Sequence, residues 1–111
     1  VARKVVLRPA ANRDLDRLYD YVGEHAGAER AIGYIRRIRA HCDSLAEFPE
    51  RGARRDDIRA GLRIAGFERR VAIAFTFDAE TVTIARVFYG GRDYEALLRE
   101  PDRAGPTRPE R

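Results

Sequence analysis

The chain has 111 residues, which suits one domain, and a chain of this size hides roughly two-thirds of its unfolded surface, enough for one core without disulfide staples. Hydrophobic residues at 44% exclude a compositionally disordered chain, no apolar run approaches the ~20 residues of a membrane span, and the apolar stretch at Val5–Leu7 is too short for a secretory signal. The net charge of +4 allows an acidic partner without demanding one.

Lys4–Leu7 is a short β-type run, stopped by Pro9, which is suited to the first position of a helix. From Ala10 to about Glu24, Ala11, Leu15, Leu18 and Val22 step by four, three and four and mark one helical face. Arg13, Asp14, Asp16, Arg17 and Asp20 fill the other side and read as a solvated face. His25-Ala26-Gly27 is the break.

From Ala28 to about Ala46, Ala28, Ala31, Ile35, Ile38, Cys42 and Leu45 form an a/d-type seam. Two such helices joined by a short loop predict an antiparallel hairpin that must also lie on something else. Cys42, the single cysteine, sits in that seam and reads as core. A lone cysteine also predicts a reducing compartment, hence the cytoplasm, and with His25 and His41 it cannot close an ordinary zinc site. No metal or other cofactor is expected. Arg30, Tyr34, Arg37 and His41 make a second stripe on this helix, read as a solvated or partner-facing surface.

Phe48-Pro49 ends the helix, and Glu50–Ala60 reads as a charged linker without periodicity. Three β-type segments follow: Leu62–Ile64, ended by Gly66; Arg69–Phe77, where Val71, Ile73, Phe75 and Phe77 alternate with Arg70, Ala72, Ala74 and Thr76; and, after the turn Asp78–Glu80, Thr81–Tyr89, with Val82, Ile84 and Phe88 on one face. Asp93 is placed to cap a last short helix carrying Ala96, Leu97 and Leu98. Residues 101–111 lack apolar side chains and read as a flexible tail after a domain spanning 1–100. The order β-α-α-β-β-β with a short terminal helix predicts a two-layer α+β fold, a helical hairpin packed on a small, mainly antiparallel sheet.

Several arginines stand where they are able to act. Lys4 is the single lysine; guanidinium groups suit bidentate contact with phosphate or carboxylate, although GC-rich coding yields the same ratio. Arg86 shares parity with Val82, Ile84 and Phe88 and so interrupts an apolar face. It is either a contact to a target or a partner's carboxylate or a structural ion pair, with Asp93 or Glu68 as partner. Arg63 and Arg70 point opposite their apolar neighbours. With Arg92 they are expected to line the solvent side of the sheet as a basic patch, or to pair across strands with acidic neighbours. Tyr89-Gly90-Gly91-Arg92 sets a phenol and a guanidinium around a flexible turn, as a contact or as a plain hairpin end.

These segments resemble, in order and spacing, the RelE/ParE superfamily of toxins from type II toxin–antitoxin systems. The similarity lies in Pro9-Ala10-Ala11 through Asp14-Leu15 ahead of Tyr19-Asp20-Tyr21; in Cys42-Asp43-Ser44-Leu45 through Phe48-Pro49 and Gly52; in Gly61-Leu62-Arg63; and in Ile84 through Asp93. It covers about residues 4–98. It implies a cytoplasmic bacterial toxin held in a hetero-oligomer by a cognate antitoxin of the ParD-like, ribbon-helix-helix type. RelE-like members cut mRNA in the ribosome; ParE-like members poison DNA gyrase. The loop before the strands carries Arg51, Arg54, Arg55 and Arg59 and no lysine, and arginine is a poor general base. Leu97 and Leu98 stand where RelE-like nucleases tend to place a tyrosine. The resemblance therefore points to the ParE-like branch, with a ribosome-dependent mRNase and a non-toxic binding module in a repressor complex as alternatives.

Overall fold

A computed structural model describes residues 3–91 and 94–99. The chain runs through β1 (Lys4–Leu7), α1 (Pro9–Ala26), α2 (Ala28–Ser44), a 3-10 turn (Pro49–Arg51), β2 (Ala53–Arg54), β3 (Arg63–Phe67), β4 (Val71–Phe77), β5 (Thr81–Tyr89) and α3 (Tyr94–Arg99). The five strands form one sheet in the order β1-β5-β4-β3-β2, with β1 parallel to β5 and every other pair antiparallel. The predicted α+β architecture is the observed one: two helices lie on one face of a mixed sheet.

Pro9 opens α1, where its missing N–H costs nothing. Gly27 alone separates the helices. Its N–H donates to the Gly23 carbonyl at 3.0 Å, its own carbonyl accepts from the Ala31 N–H at 3.1 Å, and its φ of 98° is one that L side chains resist. One residue thus ends α1 and starts α2. The seam is tight: a Cβ placed on Gly23 would touch the Ala31 Cβ at 3.9 Å.

The stripes read from the sequence are the core except around the helix junction, where Ala28 is exposed, and at Val22 and Ile35, which are only partly buried. Ala11, Leu15 and Leu18 of α1 and Ile38, Cys42 and Leu45 at α2 are buried against Ala65, Val71, Ile73, Phe75, Val82, Ile84 and Val87 of the sheet. The sheet's other face carries a second, smaller core of Leu62, Ala74, Phe88 and Leu98, with Ile58, Ile64, Tyr94 and Leu97 packed on it. The short α3 covers this patch. It is fastened from the loop before β3, where Arg55 pairs with Glu95 at 2.8 Å and Arg59 donates to the Leu98 carbonyl at 3.1 Å.

Three sequence readings change. The segment expected as a plain linker contains the 3-10 turn and β2, which pairs through Ala53 and Arg54 with Ile64 and Arg63. A two-residue strand has no periodicity to detect. It is held in place by Gly52, where a Cβ would stand 3.0 Å from both the Ile64 carbonyl and the Phe75 ring. Next, β3 does not stop at Gly66 but passes through it, in register with Ala72. The turn comes later: Glu68 and Arg69 take φ of 50° and 69°, so Arg69 and Arg70 belong to the turn and not to the strand.

The third change concerns β5. Ala74 pairs with Arg86 but Phe75 pairs with Ile84, so Ala85 is an extra residue, a β-bulge. The alternation slips there. Val82 and Ile84 face the helices, and beyond the bulge that role falls to Val87 and Tyr89, while Phe88 joins the opposite core. Unbroken alternation would have put Arg86 among the helix-side core residues. Asp93 and the segment 101–111 lie outside the described residues, as does Arg92.

Candidate functional site on the free edge of β5

β1 is only four residues long and ends opposite Ile84, where the Arg8 N–H donates to the Ile84 carbonyl at 2.9 Å. Beyond that point no strand among the described residues lies along this edge of β5, and α1 takes over. Asp14 accepts the Val87 backbone N–H at 2.8 Å, the Arg86 Nε at 2.8 Å and the Arg86 Nη2 at 2.9 Å. The Asp14 side chain is 3% exposed and that of Arg86 21%. A buried carboxylate is tolerable only when its oxygens are fully used, and here a bidentate guanidinium and a strand-edge amide use them. Arg86 lies on the far face of the sheet, 4.9 Å from the Phe88 ring centroid, and turns over the strand edge to reach Asp14.

Of the two roles open to Arg86, the structure supplies an ion pair with Asp14; Glu68 pairs with Arg37 instead, and Asp93 lies outside the described residues. Asp14 is likewise removed from the solvated face assigned to it. A signal was present: Asp14 is four residues after Ala10 and four before Leu18, both buried, so the helix turn places it inside the apolar arc.

Tyr89 closes β5 in register with Val71, and the Gly90 N–H donates to the Arg70 carbonyl at 2.8 Å. This brings Tyr89 and Arg70 to the same corner of the sheet. Tyr21 of α1 and Tyr34 of α2 complete the corner, with ring centroids 5.8 and 6.1 Å from Tyr89. Tyr21 also stacks on His25 at 4.1 Å. The Tyr34 hydroxyl titrates above its ordinary value of 10, chiefly because burial disfavours the phenolate and then because Tyr89 and Glu68 add negative charge; Arg37 and Arg70 oppose this.

The stripe Arg30, Tyr34, Arg37 and His41 turns out to face the β3–β4 hairpin in large part. Arg37 binds Glu68 through two hydrogen bonds, 2.9 and 3.1 Å, which hold the Glu68 carboxyl below its usual range. His41 packs against Phe67 with ring centroids 4.9 Å apart, and its Nε2 is buried with no hydrogen-bond partner among the described residues. Burial, and then the nearby Arg51, lower its pKa. Cys42 is core, as expected, with its thiol pushed up to about 12 by burial.

Arg63 is not on the solvent side of the sheet. It does oppose Leu62 and Ile64, but that is the helix-bearing side, where it stands in register with Phe75. Its Nη1 donates to the carbonyls of Glu50 and Gly52 at 3.1 and 2.7 Å, and its guanidinium lies 5.7 Å from the Phe77 ring. It pins the 3-10 turn to the sheet, at the opposite end of β3 from Arg70. The basic patch is therefore divided: Arg70 and Tyr89 share a corner, Arg86 is committed to Asp14, and Arg63 serves the turn before β2.

Between α1 and the uncovered part of β5 lies a cavity of about 160 Å³, lined by Asp14, Arg17, Leu18, Tyr21, Val87 and Tyr89. Residues i, i+3, i+4 and i+7 of α1 form one wall and the alternate residues Val87 and Tyr89 the other. The notch and the tyrosine corner are continuous through Tyr21 and Tyr89.

No helix among the described residues is long and apolar enough to cross a membrane. The fold is similar to that of a solved chain from the chromosomal ParDE toxin–antitoxin system of P. aeruginosa. The TM-score is 0.69 and the identity 23%, over 80% of this chain and 97% of that one. In sequence, the chain is 31% identical over 98 residues to Toxin ParE3 of Caulobacter vibrioides, covering 88% of this chain and 96% of the relative. The family model described as the ParE toxin of the type II toxin–antitoxin system parDE matches residues 5–94. With nearly the whole described domain inside that match, the chain belongs to the ParE toxin family of type II toxin–antitoxin systems.

Proposed function

We propose that this ParE-family toxin arrests growth by binding DNA gyrase and that a cognate ParD-like antitoxin neutralises it. The tyrosine corner carries the reading. Arg70 offers a guanidinium, a group ill suited to accept a proton, and the Tyr34 phenol beside it is pushed further from neutrality rather than toward it. Such groups hold a partner by charge, hydrogen bonds and ring contact; they are poorly poised to move a proton. That favours a binding poison over a ribosome-dependent nuclease. His41, whose pKa is lowered, is packed against Phe67 in the hairpin contact and is not part of the corner.

The test is a supercoiling assay with purified toxin, gyrase and relaxed plasmid. Inhibited supercoiling or trapped cleaved DNA is expected, weakened by Arg70→Glu and by Tyr89→Ala. Normal supercoiling with transcripts cut in a translating extract would transfer the chain to the nuclease reading. Undisturbed growth on induction without antitoxin would mark it as a non-toxic binding module. The antitoxin is expected to be the product of the adjacent short gene, recovered as a complex on co-expression.

A further inference from the structure

The notch between α1 and the far end of β5 has the size, lining and charge of a socket for one side chain. A cavity of about 150 Å³ lined by aliphatic and aromatic groups accepts a benzene molecule, and this one measures about 160 Å³. Leu18 and Val87 form an apolar floor, and the rings of Tyr21 and Tyr89 stand as walls. Asp14, the acid at its base, offers little charge to an occupant, because Arg86 and the Val87 N–H already hold its oxygens. The notch is open on this edge because β1 stops at Leu7 and no other strand among the described residues lies along it beyond Ile84.

Two features say what fills it. Tyr21 at the rim is 48% exposed, a large ring left half in water. Arg17, also at the rim and exposed, makes no hydrogen bond or ion pair among the described residues. An apolar socket beside an unpaired guanidinium complements a large apolar side chain flanked by a carboxylate.

We infer that this socket receives one leucine-sized or aromatic side chain of the antitoxin, and that an adjoining Asp or Glu of the same segment pairs with Arg17. The inference rests on the antitoxin reading above and deepens it by naming the anchoring point and its chemistry. The anchor supplies affinity by filling a desolvated pocket, as a few buried residues do at most interfaces. The Arg17 pair, at the rim, contributes to association and to its salt dependence.

The experiment measures binding of the full-length toxin to the full-length product of the adjacent antitoxin gene by titration calorimetry, at low and at high salt. Tyr21→Ala and Arg17→Glu alter exposed side chains, and circular dichroism checks that both variants remain folded. Each is expected to weaken binding by at least about tenfold, with Arg17→Glu also flattening the salt dependence. Arg36→Glu, on the outer side of α2, is expected to bind as wild type. Tight wild-type binding with both socket variants within about twofold of it overturns the socket while leaving the antitoxin reading intact. No wild-type binding overturns both. A concentration-dependent dimer of the toxin alone, abolished by Tyr21→Ala, overturns the proposal in favour of self-association through this face.

Discussion

Asp14 and Arg86 stand 72 residues apart in the chain and share two hydrogen bonds of 2.8 and 2.9 Å, while the same carboxylate holds the Val87 amide. One aspartate thereby does for the end of β5 what a longer β1 would have done. Breaking a buried pair by removing one member costs about 3–5 kcal/mol. Arg86 keeps some access to water, so Asp14→Asn is expected to lower stability by about 3 kcal/mol, near the bottom of that range. Urea unfolding monitored by circular dichroism measures it, and a loss below about 1 kcal/mol would mean that the pair is not the fastening described.

Gly52 is predicted to tolerate no side chain. A Cβ there meets the Ile64 carbonyl and the Phe75 ring at 3.0 Å and the Arg63 Cβ at 3.2 Å, and two of these three contacts are backbone or fully buried core. Gly52→Ala is expected to cost about 1–3 kcal/mol through overpacking. Gly91→Ala, where an added Cβ meets nothing within 4 Å, serves as the comparison in the same unfolding experiment.

His41 makes stability depend on pH. Its pKa is lowered in the folded protein by burial and by Arg51, so between the folded and unfolded values the unfolded chain binds more protons. Stability contributed by the neutral ring is complete well above pH 6.5, falls as the pH drops through that unfolded value, and levels off below the folded one. Denaturant midpoints at pH 7.5 and pH 5.5 should differ more for the wild type than for His41→Gln. Equal differences would show that the packed imidazole does not couple to folding.

Cys42 is buried and its thiol is pushed up to about 12. The thiolate is the reactive species, so a thiol-specific disulfide reagent at pH 8 should label the native protein only as fast as the chain opens, and label it promptly in denaturant. Rapid stoichiometric labelling of the native state would place Cys42 outside the helical seam.

The helical hairpin was legible because its signal is local and repeated: Leu15, Leu18, Ile38, Cys42 and Leu45 recur at helical spacing and all are buried. The alternation of Val71, Ile73 and Phe75 was legible for the same reason. What escaped was set by pairing across the chain. A bulge at Ala85 leaves no mark in composition, and it decides which face Phe88 and Arg86 occupy. β2 exists only because β3 offers an edge and Gly52 lets the backbone come close. Tyr89 and Arg70 were singled out from the sequence and do meet, whereas Tyr21, Tyr34 and Arg17 complete their surroundings from helices that sequence spacing could not orient against β5. Arg63 had the right parity and the wrong side, since parity alone does not say which face of a sheet the helices cover.

The extra residue at Ala85 makes the pairing of β5 as consequential as its composition. Pairing the same strand without the bulge would rotate every side chain beyond Ile84 by half a turn: Val87 and Tyr89 would leave the helices, and Arg86 and Phe88 would be driven under them, whereas a strand lacking Ala85 would keep all four on their present faces. A single uncompensated residue in the pairing thus decides which side is inside, and regularising the ladder around it would dismantle the tyrosine corner without altering one of the tyrosines.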